Sequence, residues 1–113
     1  YSEEEVPAGQ EKFLALNGGP LFKFNEAISF QVDCGTKEEV DYYWEKLSAG
    51  GDEKAQQCGW LKDRFGLSWQ IVPKAHMQMM SSGDSAQVTR VMQAMMKMSK
   101  FDIATLQRAY DGV

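Results

Sequence analysis

One stretch constrains the fold of this chain more than any other: Cys58-Gly59-Trp60-Leu61-Lys62-Asp63-Arg64-Phe65-Gly66-Leu67-Ser68-Trp69-Gln70-Ile71-Val72-Pro73. Two runs rich in Trp, Leu, Ile and Val, Gln57 to Lys62 and Leu67 to Val72, flank Asp63-Arg64-Phe65-Gly66. Asp and Gly stand at the first and last corners of that tetrapeptide, where a type I turn favours them. The pattern predicts a β-hairpin. Alternation along its second strand puts Leu67, Trp69 and Ile71 on one face and Ser68, Gln70 and Val72 on the other. A polar Gln70 therefore sits in the middle of an apolar strand.

Upstream, Tyr1 to Gln10 carries Glu3-Glu4-Glu5, Pro7 and Gly9 and offers little for a core, which predicts a mobile lead-in. Lys12 to Leu16 reads as a strand that ends at Asn17-Gly18-Gly19-Pro20. In the next strand, Ala27 to Cys34, residues Ile28, Phe30, Val32 and Cys34 share one face and Ala27, Ser29, Gln31 and Asp33 the other. Thr36 and Glu39 have the spacing of a capping box. Val40, Tyr43, Trp44 and Leu47 then form a helical stripe, and Gly50-Gly51 stops the helix. Strands with one apolar and one mixed face, beside a helix with one apolar stripe, predict an α+β fold in which the helix covers the apolar side of an antiparallel sheet. The opposite side is left to line a cleft.

After Pro73 the period becomes helical. His76 to Met80 forms a short helix or turn broken near Ser82-Gly83. Asp84 or Ser85 caps a longer helix with a stripe of Val88, Val91, Met92, Met95 and Met96. Asp102 caps a last helix with Ile103, Leu106 and Tyr110.

With 113 residues, the chain is read as a single domain, residues 1–113, with enough sequence for a core. A net charge of -4 without a run of Lys or Arg argues against a nucleic-acid partner. No apolar run approaches the roughly twenty residues of a membrane span, so no membrane partner is expected. Cys34 and Cys58 lack the paired spacing of a zinc site or a disulfide framework and read as free thiols of a cytoplasmic protein. The chain opens at Tyr1 rather than Met, which leaves room for an N-terminal portion before it.

Among residues able to do chemistry, Gln70 is the sharpest candidate, since a mid-strand amide can orient a ligand or serve as a weak oxygen ligand to a hard metal. The bland alternative is a sheet residue bonded to a neighbour. Asn17 and Asn25 flank the Gly-Gly loop and have ordinary turn roles. His76, the sole histidine, has no Ser, Cys or carboxylate partner at a telling spacing. The methionines from Met92 to Met98 fit core or dimer packing. Gly18-Gly19 lacks the context of a phosphate loop.

Several segments in order resemble one family. They are Leu16-Asn17-Gly18-Gly19-Pro20, Phe22 to Phe30, Asp41-Tyr42-Tyr43-Trp44 with Leu47, Cys58 to Asp63, Ser68 to Pro73, and Arg90 to Met96 with Ala109-Tyr110. Together they resemble the PhnB-like proteins, a branch of the vicinal oxygen chelate superfamily of glyoxalases, bleomycin-resistance proteins and extradiol dioxygenases. The resemblance implies paired βαβββ modules with antiparallel, curled sheets forming a cup around a ligand, usually in a homodimer, here followed by C-terminal helices. It also implies that this chain holds one complete module, Ala27 to Val72, and only the last strand of the other, so the N-terminal module is incomplete. In metal-using relatives the second module offers His in its first strand and Glu in its last. Ala27 and Gln70 stand at those positions, and no metal or other cofactor is expected. Members of this branch often carry a demethylubiquinone methyltransferase label, although nothing in the chain resembles a cofactor-binding methyltransferase motif.

The expected function is binding of a small organic molecule by Ser29, Gln31, Trp60, Ser68 and Gln70, whether or not catalysis follows. The alternatives are a divalent-metal lyase or isomerase of the glyoxalase type, with Gln70 as one ligand, and a dimerisation module without a ligand.

Overall fold

The computed structural model describes residues 3–8 and 11–113. Tyr1, Ser2, Gly9 and Gln10 of the expected lead-in lie outside the described residues. The rest of that segment is not a mobile tail. Glu3–Ala8 forms strand β1, which pairs antiparallel with β2, Glu11–Leu16, in the register Glu3 to Leu16 through Ala8 to Glu11. The acidic run gave no sign of a strand, because β1 is specified by its pairing with β2 and not by an apolar pattern of its own.

Strand β3, Ser29–Cys34, leads into α1, Lys37–Ser48. Thr36 Oγ1 accepts the Glu39 backbone N–H, one half of the expected capping box. A short 3-10 turn, Glu53–Ala55, precedes strand β4, Trp60–Lys62, and strand β5, Ser68–Pro73, completes the hairpin. The turn closes as expected, with the Gly66 N–H donating to the Asp63 carbonyl at 3.0 Å and Gly66 at a φ of 85° that suits glycine. Asp63 does more than sit in a corner. Its Oδ1 accepts the N–H groups of Phe65 and Leu67, and its Oδ2 accepts the Trp69 indole N–H at 2.9 Å.

The sheet order is β3-β5-β4, and the expectation of a purely antiparallel sheet is corrected here: β4 and β5 are antiparallel, but β3 and β5 are parallel. The reason is the crossover. A helix between β3 and the hairpin carries the chain back before β5 is laid beside β3, and this connection produces parallel neighbours. Between Ala27 and Val72 the described strands are three rather than the four of a βαβββ module. The first strand of the hairpin is also shorter than its apolar run, since Cys58 and Gly59 take left-handed φ values of 51° and 83° and leave Gln57 only an isolated bridge to Trp60.

Two clusters form the core. In the first, Val40 of α1 packs with Cys34, Leu61 and Ile71 of the sheet, flanked by the half-buried Trp44, Leu47 and Trp69. Burying a side chain such as Ile71, fully covered here, contributes about 1.5–3 kcal/mol. The second cluster joins three C-terminal helices: α2, Lys74–Ser82; α3, Ser85–Met95; and α4, Ile103–Asp111. Met79, Val91, Phe101 and Leu106 are its buried members. Asp84 and Gln87 make a full capping box at the start of α3, and Asp102 caps α4 through the Ala104 N–H. The methionine stripe is narrower than expected: Val91 is buried, but Met92 on α3 is 49% exposed, and Met96, which caps the end of the helix, is 70% exposed. Gly59 joins the two clusters. A Cβ there would lie 2.6 Å from the Phe101 ring, so the close contact requires glycine as well as the backbone angle does.

No helix among the described residues is long and apolar enough to cross a membrane.

Candidate ligand-binding face

Residues opposite one another in a ladder project from the same face, so the register fixes which side chains meet. Ser29 stands opposite Ser68, which stands opposite Lys62, and this makes one row across the three strands. Gln31, Gln70 and Trp60 make the next row. All five residues singled out in the sequence, Ser29, Gln31, Trp60, Ser68 and Gln70, therefore belong to one face, opposite the one that α1 covers.

Their local partners differ. The Gln70 amide donates to Ser29 Oγ at 2.9 Å, tying the two rows together across the β3–β5 ladder. Gln31 donates to Asp33 Oδ1 at 2.8 Å and lies 3.7 Å from Met77 Sδ of α2. Ser29, Gln70 and Trp60 are half-buried. Ser68 does not stand in an open cleft as its place in the alternation suggests: it is 1% exposed, and its Oγ has no hydrogen-bond partner. A buried hydroxyl without a partner is uncommon, because its lost hydration goes uncompensated.

Lys62, which the sequence reading passed over, closes the first row. Its side chain is only 25% exposed, and its ammonium pairs with the carboxylate of Glu26 in the turn before β3. The hydrogen bond from Lys62 holds the Glu26 carboxyl below the usual carboxylate range. Periodicity gave no sign of this pair, which links residues far apart in sequence.

Near the start of β3 a mostly apolar cleft of about 520 Å³ is lined by Phe24, Ala27, Ile28, Phe30 and Leu67, with Lys23 and Asn25 as its polar members. The signal for it was Lys23-Phe24, whose phenylalanine remains 59% exposed. Asn25 has a local role, its Oδ1 accepting the Ala27 N–H at 2.9 Å, and Asn17 lies exposed in the preceding loop.

No group of three or more His, Cys, Asp or Glu among the described residues is arranged to hold a metal. Ala27 lies in the turn before β3 rather than in the strand, has no donor side chain, and is not opposite Gln70, whose ladder partners are Gln31 and Trp60. His76 packs against two members of the second cluster, stacked on Phe101 with ring centroids 5.1 Å apart and its Nε2 2.9 Å from Met95 Sδ. Its Nδ1 is buried without a partner, and burial lowers its pKa below the ordinary histidine value. Cys34 and Cys58 are both free, Cys34 fully buried and Cys58 half-buried with its thiol donating to the Met95 carbonyl at 3.4 Å.

Residues 4–72, which hold the sheet and this face, match the family described as 3-demethylubiquinone-9 3-methyltransferase. The chain belongs to this family. A solved structure described as a 3-demethylubiquinone-9 3-methyltransferase, PhnB protein, from Bacillus cereus is similar, with a TM-score of 0.52 and 27% identity. The similarity covers 63% of this chain and 63% of that one, so the chain spans less than two thirds of the Bacillus protein's length. No curated protein matches the chain. The PhnB-like label that the sequence motifs suggested thus rests on both a family match and a structural neighbour.

Proposed function

We propose that this PhnB-like chain binds a small organic molecule against the polar face of the β3-β5-β4 sheet, in a site of the vicinal oxygen chelate type that uses no bound metal. The observation that carries the reading is the pair of rows across the three strands, with the Gln70 amide bonded to Ser29 and Trp60 opposite Gln70. Trp60 supplies a flat apolar surface, while Gln70, Ser29 and Gln31 supply hydrogen-bonding groups that orient polar atoms. Ala27, where metal-using relatives place a ligand, leaves Gln70 to act through its amide.

The assembly we propose is a homodimer in the cytoplasm. Leu14, Leu16, Leu21 and Phe22 are 58–88% exposed in one protomer, which supports burial against a second copy. Sedimentation velocity tests the assembly directly, and a monomer at all concentrations refutes it.

The test of the ligand reading is a fragment screen followed by nuclear magnetic resonance, comparing the chain with Trp60→Ala and Gln70→Ala. Fragments that shift the Trp60 indole and Gln70 side-chain signals, and bind each variant more weakly, support it. Binding that both substitutions leave unchanged refutes it. A parallel titration with divalent ions separates this from the metal-dependent alternative, in which one ion stabilises the chain and Gln70→Ala abolishes the effect.

A further inference from the structure

We propose that the Ser29–Ser68–Lys62 row receives a carboxylate of the bound molecule, and that Glu26 is its intramolecular competitor. The inference rests on the binding reading above and adds the chemical class of the ligand.

The row is unbalanced in its hydrogen bonding. Lys62 brings an ammonium that only donates, and Ser68 brings a buried hydroxyl that nothing engages. Gln70 in the adjoining row uses its amide nitrogen on Ser29 Oγ and keeps a second N–H on the same nitrogen, while the Ser29 hydroxyl hydrogen stays available to an acceptor. Donors thus gather along one line of the sheet, with side chains on neighbouring strands about 5 Å apart at Cβ. A carboxylate suits such a line, because it has two oxygens, accepts only, and makes stronger hydrogen bonds to a cationic donor than a neutral carbonyl does.

The row already holds one anion, the Glu26 carboxylate on the Lys62 ammonium. Glu26 is 66% exposed in the turn that precedes β3, while Lys62 is largely covered. An exposed partner in an ion pair is weakly held and exchanges readily with a competing anion. The Glu26 side chain therefore occupies the cationic end of the row, and a carboxylate reaches Lys62 and the buried Ser68 hydroxyl only once Glu26 has swung away.

The experiment uses benzoate and its neutral isostere benzamide, titrated into the full chain and into Glu26→Gln, Lys62→Met and Ser68→Ala, with the signals of Trp60, Ser68 and Gln70 as the readout. Benzoate is expected to bind more tightly than benzamide. Glu26→Gln is expected to tighten benzoate severalfold and leave benzamide unchanged. Lys62→Met erases the preference, and Ser68→Ala weakens benzoate without unfolding the chain, since it removes only an unengaged hydroxyl. If benzamide binds at these signals but benzoate gains nothing from its charge or from Glu26→Gln, the carboxylate inference falls and the binding reading stands. If neither probe moves the signals of this face in any of the four proteins, both fall.

Discussion

Two hairpins in this molecule have opposite economies. The β1–β2 hairpin has six paired positions, the β4–β5 hairpin only three. Yet the shorter one is the centre of the fold. Leu61 and Ile71 on it are 1% and 0% exposed, α1 lies across them, and Asp63 binds its turn and the Trp69 indole. On β2, by contrast, Phe13, Leu14 and Leu16 are 47%, 68% and 58% exposed, and Phe13 meets the rest of the chain edge-to-face on Phe30 at 6.2 Å. The radius of gyration of 16.5 Å, against about 13 Å for a compact chain of this size, is consistent with such a projecting arm. Backbone pairing is therefore no measure of how firmly a hairpin is held. Protein and water bond to the backbone almost equally well, and the apolar area covered decides.

The strongest way to break the contrast is Ile71→Ala. Ile71 is fully buried between β3 and α1, so truncation leaves a cavity that the packed sheet cannot close, and a loss of about 2–5 kcal/mol is expected in urea unfolding. A loss below about 1 kcal/mol would mean that the cluster repacks freely and that β5 is no better anchored than the arm.

Asp63→Ala comes next. It removes the acceptor of two turn N–H groups and of the Trp69 indole, all part-buried or at the turn, and a loss of about 1–3 kcal/mol is expected. Asp63→Asn keeps one acceptor oxygen and is expected to recover part of that loss. If the two substitutions cost the same, the turn bonds are not what holds this hairpin.

A third effect is set by pH. His76 stacks on Phe101, and Phe101 packs on Gly59 at the start of the β4–β5 hairpin. Burial lowers the folded-state pKa of His76 below its unfolded value, so between the two the unfolded chain binds the extra proton. Its contribution is complete above the ordinary histidine pKa of about 6.5 and falls as the pH drops below it, by at most about 1.4 kcal/mol per pH unit for one proton. Unfolding measured at pH 7.5 and at lower pH should show this slope, and His76→Gln should flatten it. A slope unchanged by the substitution would assign the effect to other groups.

The sequence made the held hairpin legible because its signals are local: apolar runs, an Asp–Gly turn, and capping residues at Thr36, Asp84 and Asp102 that all act where expected. Alternation also grouped Ser29, Gln31, Ser68 and Gln70 on one face. It could not say which strands are neighbours, and so the parallel β3–β5 ladder and the strand β1 were missed. Nor could it report what lies over a face. Ser68 alternates with the polar residues but is buried, and Lys62 finds Glu26 only after the chain has folded. The site was thus readable as a set of residue types, while its burial and its ion pair depend on tertiary contacts.

The smallest effect is expected on the arm itself. Leu14 is 68% exposed, so within one protomer Leu14→Ala removes little packing and should change stability by less than about 0.5 kcal/mol. The measurement is best made at several protein concentrations. A cost that stays small when the chain is dilute and grows as it is concentrated would mean that a second copy buries the arm, as the proposed homodimer requires. Hydrogen exchange then sharpens the comparison. Amides of β5 should exchange only with global unfolding, whereas those of β2 should open locally at low concentration and slow down as copies associate. Equal protection of both hairpins in the dilute chain would show that the longer ladder holds itself, and the contrast drawn from buried area would fail.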